Sequence, residues 1–557
     1  MGARARSRLR LELWVQEELA PRPRSRAPIG LYLFTLFCAL YLLGMSGTFL
    51  GNADSVFMFG VAESLARARD VAISPRIADL QEPKDAFEFL RGADGRLYFY
   101  KGMSYSMVLV PFYLLGQGLA WVTGLTDREV QLTMLTASAA GPLLGALECV
   151  LLYHLALALG FARRTAVLTA LLAGLGTIIW ADSKSNMSEP LLGLTITGAY
   201  LGLAHLQQRP TAGWAAFTGS CLSVLFLSQP AMLLLVVPVV TAYLLWGGWR
   251  AWRTERRQAA VAVGAYGLAL LVGLGLLGWL NWLRYGSLVS AGYEGAMQPG
   301  LAIPVYIGIY GLLLSAGKSI FLYSPPLVCA AAAAPAFCRR VGMLGTLPLA
   351  LLAVFLVAYG RISFWHGDGA WGPRYLIPLT GVLVVMVAAY IEETPTIGRR
   401  VVLLALIALG GVVQVIGVLT STPAYFALLL QHGVLQSASP LLPAWYPVIF
   451  DPEFSPVVGR GMLLLSALHR LVFGESLIWT VRVGPGGDWV PISLAGYDGL
   501  NWWASWLLAS SVAPQSALYV GLVLAVVAAG GLAVAGSLRA LWRAAGLPRV
   551  WAESHAG

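Results

Sequence analysis

Stretches of about twenty apolar residues recur from one end of this chain to the other, and that recurrence limits its fold more than any other feature. A bilayer offers no water to unpaired N–H and C=O groups, so a run of that length closes its hydrogen bonds within itself, as a helix. With 58% hydrophobic and only 11% charged residues in 557, no soluble globular domain fits. The expected fold is an all-α polytopic membrane protein. A formal charge of +10 would suggest a nucleic-acid partner for a soluble chain. Here the arginines gather in short loops between apolar runs, the pattern that orients membrane helices, so no nucleic acid is expected. Cys38, Cys149, Cys221, Cys329 and Cys338 all lie in or beside apolar runs, without the spacing of a disulfide framework or a metal site. Nothing else in the chain demands a metal or a cofactor.

The apolar runs fall near 29–49, 103–124, 130–159, 165–181, 188–206, 214–228, 230–247 and 259–282, then 303–315, 319–337, 344–362, 374–391, 400–420 and 516–537. Were all of them to cross, the basic stretch 247–257 would lie opposite the basic N-terminus, against the positive-inside tendency. Laying 103–124 and 303–315 in the outer interface restores agreement. Arg163, Arg209, Arg250, Arg339, Arg399 and Arg539 then share the cytoplasmic side, about twelve helices cross, and both ends are cytoplasmic. The chain divides into a basic cytoplasmic tail (1–28), a transmembrane body (29–420) whose first outer loop runs 50–129, an extracytoplasmic cap loop (421–515), and a last helix with its tail (516–557). The lysines, Lys84, Lys101, Lys184 and Lys318, all land on the outer face, which is where chemistry is expected. No internal repeat is evident, so an inverted-repeat transporter gains no support.

The first outer loop opens on Asp54, just past the first apolar run. From Asp54 to Asp70 the sequence sets Glu63, Arg67 and Asp70 on one helical face, which predicts an amphipathic helix lying flat in the interface. Asp54 also suits a helix N-cap. The loop closes on Tyr98, Tyr100, Lys101 and Tyr105, an aromatic belt with a cation at the depth of a lipid phosphate, or a snorkelling lysine. The second outer loop, 180–190, brings Asp182, Lys184 and Glu189 to a helix start, where the dipole favours an acid in any case. Between 281 and 326, polar and glycine-rich sequence at membrane depth has to be covered by protein or line a cavity, which singles out Tyr293, Glu294 and Lys318. In 362–378, His366, Asp368 and Arg374 accompany Trp365 and Trp371. A guanidinium is a forked donor to phosphate, and tryptophans suit either sugar rings or interfacial anchoring. Glu148, near mid-depth, reads as a polar packing contact rather than a proton path.

An acid just after the first helix (Asp54), a juxtamembrane helix, and a tyrosine-lysine pair (Tyr100, Lys101) leading into a second juxtamembrane helix resemble the polyprenyl-phosphate-dependent glycosyltransferases of the GT-C fold. The branch is that of the protein O-mannosyltransferases and the lipid A aminoarabinose transferase. Ser55 stands where the family often has a second acid, and Gly102 and Met103 stand where prolines usually follow the lysine. The resemblance implies a GT-C-like bundle of about twelve transmembrane helices in a bacterial-type inner (plasma) membrane, with juxtamembrane helices in the first outer loop and an extracytoplasmic active site. It implies transfer of a sugar from a polyprenyl-phosphate donor to an extracytoplasmic glycan, lipid or protein, with inversion. Asp54 would be the catalytic base, and Lys101, Arg374 and Lys318 the donor-phosphate contacts. Candidate substrate contacts are Glu63, Tyr100, Tyr105, Lys184, Glu189, Tyr293, Glu294, Trp365, His366, Asp368 and Trp371. Of these, Lys184 and Glu189 look like counterparts of a basic and an acidic residue that relatives carry in the second loop. A lipid-linked saccharide transporter and a non-catalytic protein of envelope assembly are the alternatives.

Overall fold

The computed structural model describes residues 28–78, 89–92, 94–290, 303–393, 396–435, 446–482, 489–504 and 517–544. Tyr293 and Glu294 lie outside these residues, as do the basic N-terminal tail and the last residues of the chain. Among the described residues, eight helices are long and apolar enough to cross a membrane: Ser104–Thr123, Thr126–Ala158, Arg256–Tyr285, Leu327–Tyr359, Arg374–Glu392, Ile397–Leu419, Pro456–Phe473 and Val523–Ala544. Ile29–Gly44, Ala212–Ser228, Met232–Gly247 and Val305–Leu314 are shorter apolar helices. The chain is an all-α polytopic membrane protein. Gly342, at φ 75°, interrupts the Leu327–Tyr359 stretch directly after Arg339 and Arg340. At 10 residues, Val305–Leu314 reaches only about 15 Å, half a bilayer core.

Glu189–Gln208 is the axis of the bundle. Its positions from Glu189 to Ala204 are almost all buried, so it can carry Thr195, Thr197 and Tyr200 without facing lipid. Twenty residues give it a length of about 30 Å, the thickness of the hydrocarbon core. At its start Glu189 accepts a hydrogen bond from Arg374. At its end Gln208 donates to the Ala158 carbonyl (2.8 Å), one turn from Gly160. Arg340 donates to Gly160 O (3.0 Å) and pairs with Glu392 (2.5 Å), whose other oxygen accepts the Ala162 N–H (2.8 Å). Loops at 160, 340 and 392 therefore meet at one end, the end that the arginine count assigns to the cytoplasm. Asp54, Lys101, Glu189 and Arg374 meet at the other.

Two features differ from the sequence-based expectation. Small antiparallel ribbons pair Phe89–Arg91 with Leu97–Phe99 and Ile478–Arg482 with Trp489–Ser493. Strands of three to five residues are too short to show periodicity, although Asp94 and Gly95 (φ 78°) carry a hairpin-turn signal. The helix Ala53–Ala68 does not lie flat with one wet face: every residue from Asp54 to Ser64 is buried. Phe59 packs on Phe49 (4.9 Å between centroids) and on Tyr113 (5.7 Å) of Ser104–Thr123, which covers it. The outward apolar face belongs instead to Ser104–Thr123, where Leu114, Leu115 and Trp121 are exposed. Pro456–Phe473, within the expected cap loop, packs against Ile397–Leu419 through the buried Arg460.

The two-ended arrangement makes a topological prediction. Gly51 and Gly213 are exposed, with open space around a built Cβ, and lie at opposite ends of the bundle. In a cysteine-free background, Gly51→Cys should react with an impermeant maleimide in right-side-out vesicles. Gly213→Cys should react only after permeabilisation, and equal labelling of both without it would break the assignment.

Candidate functional site

Asp54 is the second residue of Ala53–Ala68, where the positive end of the dipole favours a carboxylate. The N-cap position is held by Asn52, so Asp54 is not the cap. Its Oδ2 accepts from Lys101 Nζ (2.5 Å) and from Arg374 Nη2 (2.5 Å), while Arg374 Nε donates to Glu189 Oε1 (2.6 Å). All four side chains are buried. Two acids and two cations balance, which is how a low-dielectric site holds so many charges. Burial works to raise the Asp54 pKa; Lys101 and Arg374 overcome it and hold the carboxyl well below the usual carboxylate range.

The surrounding structure fixes each member. Lys101 follows the strand Leu97–Phe99, and its carbonyl accepts from Arg284 Nη1 (2.9 Å), a side chain 1% exposed at the end of Arg256–Tyr285 that also donates to Phe99 O. The next residue, Gly102, donates its N–H to Ser228 O (3.1 Å), and a Cβ there would sit 2.0 Å from the Leu227 carbonyl oxygen. That close approach gives the glycine after Lys101 its physical reason. Arg374 emerges from a loop folded around Lys318, whose ammonium donates to the carbonyls of Asp368 (2.8 Å), Ala370 (2.8 Å) and Gly372 (3.3 Å).

Lys318 is therefore spent on backbone, behind the acid-cation cluster and not in it, which corrects its expected place beside a phosphate. Burial also pulls its pKa down to about 7. In the same loop His366 Nδ1 accepts the Asp368 N–H (3.1 Å), and burial pushes the imidazole down to about 3, so it is neutral. Trp365 is core: its ring lies against Gly311, where a Cβ would meet it at 1.9 Å. Glu63 belongs to a second network with Tyr113 (3.1 Å), Arg67 (3.4 Å) and Arg76 (3.4 Å), nine residues or about 13 Å along the helix from Asp54. Tyr100 lies beside Lys101, with its ring centroid 6.0 Å from Nζ. Tyr105 is buried, and its hydroxyl has no partner among the described residues. Lys184 does not join Glu189. It donates instead to the carbonyls of Val418 and Asn501.

A cavity of about 320 Å³ opens beside the cluster, bounded by Asn52 and Ser55 on the first-loop side, Asp182 and Lys184 of the second loop, Trp371 and Arg374, and Arg460. Asp182 and Arg460 are charged-type residues here to which the sequence assigned no role. Asp182 borders the cavity, and burial, with the Glu189 charge, pushes its pKa well above the usual carboxylate range. Arg460 belongs to an amphipathic helix that also carries His469 and Arg470, and nothing local in the sequence marks it as the buried one.

No protein-family model matches this sequence, and no curated protein matches it. Among solved structures, the chain is similar to ArnT from Cupriavidus metallidurans bound to undecaprenyl phosphate, at 15% identity over 79% of this chain and 72% of that one, with a TM-score of 0.47. It is also similar to the oligosaccharyltransferase of Archaeoglobus fulgidus in its apo form, at 12% identity over 75% of this chain and 59% of that one, with a TM-score of 0.45. A third is AglB from the same organism in complex with an inhibitory peptide and a dolichol-phosphate, at 11% identity, 77% and 60% coverage and a TM-score of 0.39.

The cluster predicts a stability cycle. Asp54→Asn leaves Lys101 and Arg374 buried with one acid between them and should cost about 3–5 kcal/mol. Asp54→Asn combined with Lys101→Gln should recover part of that loss in thermal unfolding; strict additivity would mean the pair is not coupled. A pH dependence follows as well. Because the folded Asp54 pKa lies below its unfolded value, its stabilising contribution is complete at neutral pH and fades only as pH falls below the ordinary carboxylate range. A stability transition between pH 5 and 8 that disappears in Asp54→Asn would contradict this.

Proposed function

We propose that the chain is a GT-C-type glycosyltransferase that moves a sugar from a polyprenyl phosphate to a hydroxyl-bearing acceptor on the extracytoplasmic side of a bacterial-type inner membrane. The observation that carries this is the meeting of Asp54, Lys101, Glu189 and Arg374, from four separate segments, beside a cavity that Arg374 borders at one end of a helical bundle. The charges are gathered at that end, which suits chemistry at one membrane face better than a path through it. Eight crossing-length apolar helices support a multi-pass membrane location.

In this reading the phosphate of the donor approaches Lys101 and Arg374 and shares their N–H groups with Asp54. The same competition restores Asp54's basicity, since the two cations are what depress it. The acceptor oxygen attacks the anomeric carbon from the face opposite the phosphate, its proton passes to Asp54, and the carbon–oxygen bond to phosphate breaks. The electron pair leaves with the polyprenyl phosphate, whose added charge Lys101 and Arg374 offset. One displacement inverts the anomeric centre. Glu189 is a positioning residue that holds Arg374 in plane for this contact. Asp182 and Trp371 bound the space for the sugar.

The test is transfer from a panel of polyprenyl-phosphate-linked sugars by purified protein. Asp54→Asn should abolish turnover, with the double variant carrying Lys101→Gln as the folded control. Lys101→Ala should lower kcat by about a hundredfold or more while shifting the acceptor KM little. Retained turnover in Asp54→Asn removes it as the base, and a Lys101→Ala effect confined to acceptor KM removes the leaving-group role.

A further inference from the structure

The four-residue cluster is balanced, but the cavity beside it is not. Lys184 and Arg460, 7% and 2% exposed, both border that cavity. Among the described residues neither forms an ion pair. Arg460 donates to Thr420 Oγ1 (2.9 Å), Thr422 Oγ1 (2.7 Å), Gly417 O (2.9 Å) and Thr420 O (2.8 Å), and its guanidinium stacks 4.2 Å from the Trp371 ring centroid. Lys184 donates to the carbonyls of Val418 and Asn501.

A purely structural reading is available: both cations close the C-terminal end of Ile397–Leu419, whose last carbonyls they bind. Charge decides against its being the whole account. A helix end supplies only about half a negative charge, whereas two basic side chains, Lys184 and Arg460, are buried at it. The acids at hand do not make up the difference. Burial and the Glu189 charge hold the Asp182 pKa well above the usual carboxylate range, and Glu189 is engaged by Arg374. Burial, with the charge of Arg460 beside it, pulls the Lys184 pKa far down, and among the described residues no acid pairs with either side chain. Neutral donors and acceptors fill out the wall, with Asn52, Ser421, Thr422 and Asn501 all bordering the same space. The Trp371 Nε1–H is buried without an acceptor among the described residues.

We propose that this cavity contains a second oxyanion site, in which Lys184 and Arg460 bind a phosphate or carboxylate group carried by the acceptor, separate from the Lys101 and Arg374 pair. The acceptor is then an acidic molecule, a phosphorylated or carboxylate-bearing glycan or lipid. That identification rests on the transferase reading; the anion site itself does not. An oxyanion between the two side chains supplies the missing negative charge and takes N–H groups in the forked geometry that guanidinium favours. It also places the acceptor's charged end away from the donor phosphate, so the two anions do not compete for one pair of cations.

The experiment measures binding of inorganic phosphate to the full-length protein in detergent by calorimetry, at ionic strength fixed with chloride. Polyprenyl monophosphate serves as the probe of the other pair. Wild type should bind phosphate saturably, and Lys184→Gln and Arg460→Gln should each weaken it about tenfold or more. Arg460→Lys, which keeps the charge and loses the fork, should fall between. Lys101→Gln should weaken polyprenyl monophosphate while leaving inorganic phosphate within about twofold. Phosphate binding unchanged in both Lys184→Gln and Arg460→Gln overturns the proposal. So does binding that Lys101→Gln abolishes, because the anion would then sit at the donor pair. Absence of transfer by the wild type from every donor in the panel, with phosphate binding intact, overturns the transferase reading alone, so the two fail separately.

Discussion

One carboxylate oxygen, Asp54 Oδ2, accepts from two buried cations at 2.5 Å each, and one end of the bundle is organised around that sharing. A buried ion without a partner is costly enough that the segments bearing Lys101 and Arg374 must converge on Asp54, and Glu189 must follow to complete Arg374. The first helix of the outer loop is consequently pulled beneath Ser104–Thr123 and buried over eleven successive positions. The same sharing sets the basicity of Asp54, because a carboxylate held by two cations binds a proton more readily only when another anion claims them.

Cations perform a second task in this fold. At membrane depth, irregular backbone survives only where something donates to its carbonyls. Lys318 does so for the 368–372 loop, Arg284 for the strand that carries Lys101, and Lys184 and Arg460 for the end of Ile397–Leu419. A lysine among glycines and aromatics looks the same in sequence whether it meets a phosphate or three carbonyls. That is why Lys318 and Lys101 resembled each other as candidates and why their surroundings part them.

The readable elements were those whose signal is local or additive. Apolar length gave the helices, the arginines gave the two ends, and the meeting of Gly160, Arg340 and Glu392 at one end agrees with that division. Asp54, Lys101, Glu189 and Arg374 were all nameable because each is an ionisable residue where a helix meets water. Less legible was the fate of Glu63, Trp365 and His366, whose residue types suit a sugar site but whose neighbours, Tyr113, Gly311 and the Asp368 amide, make them scaffold. Arg460 escaped notice because one arginine in an amphipathic run ordinarily faces water.

By itself the sequence determined a helical membrane protein with ionisable groups concentrated on one face, since hydropathy and charge placement follow from the order of residues along the chain. Only the tertiary structure decided which cation meets which acid and which meets bare carbonyls. Those choices depend on contacts between residues as far apart as Asp54 and Arg374, and on the low dielectric that makes each unmatched charge expensive.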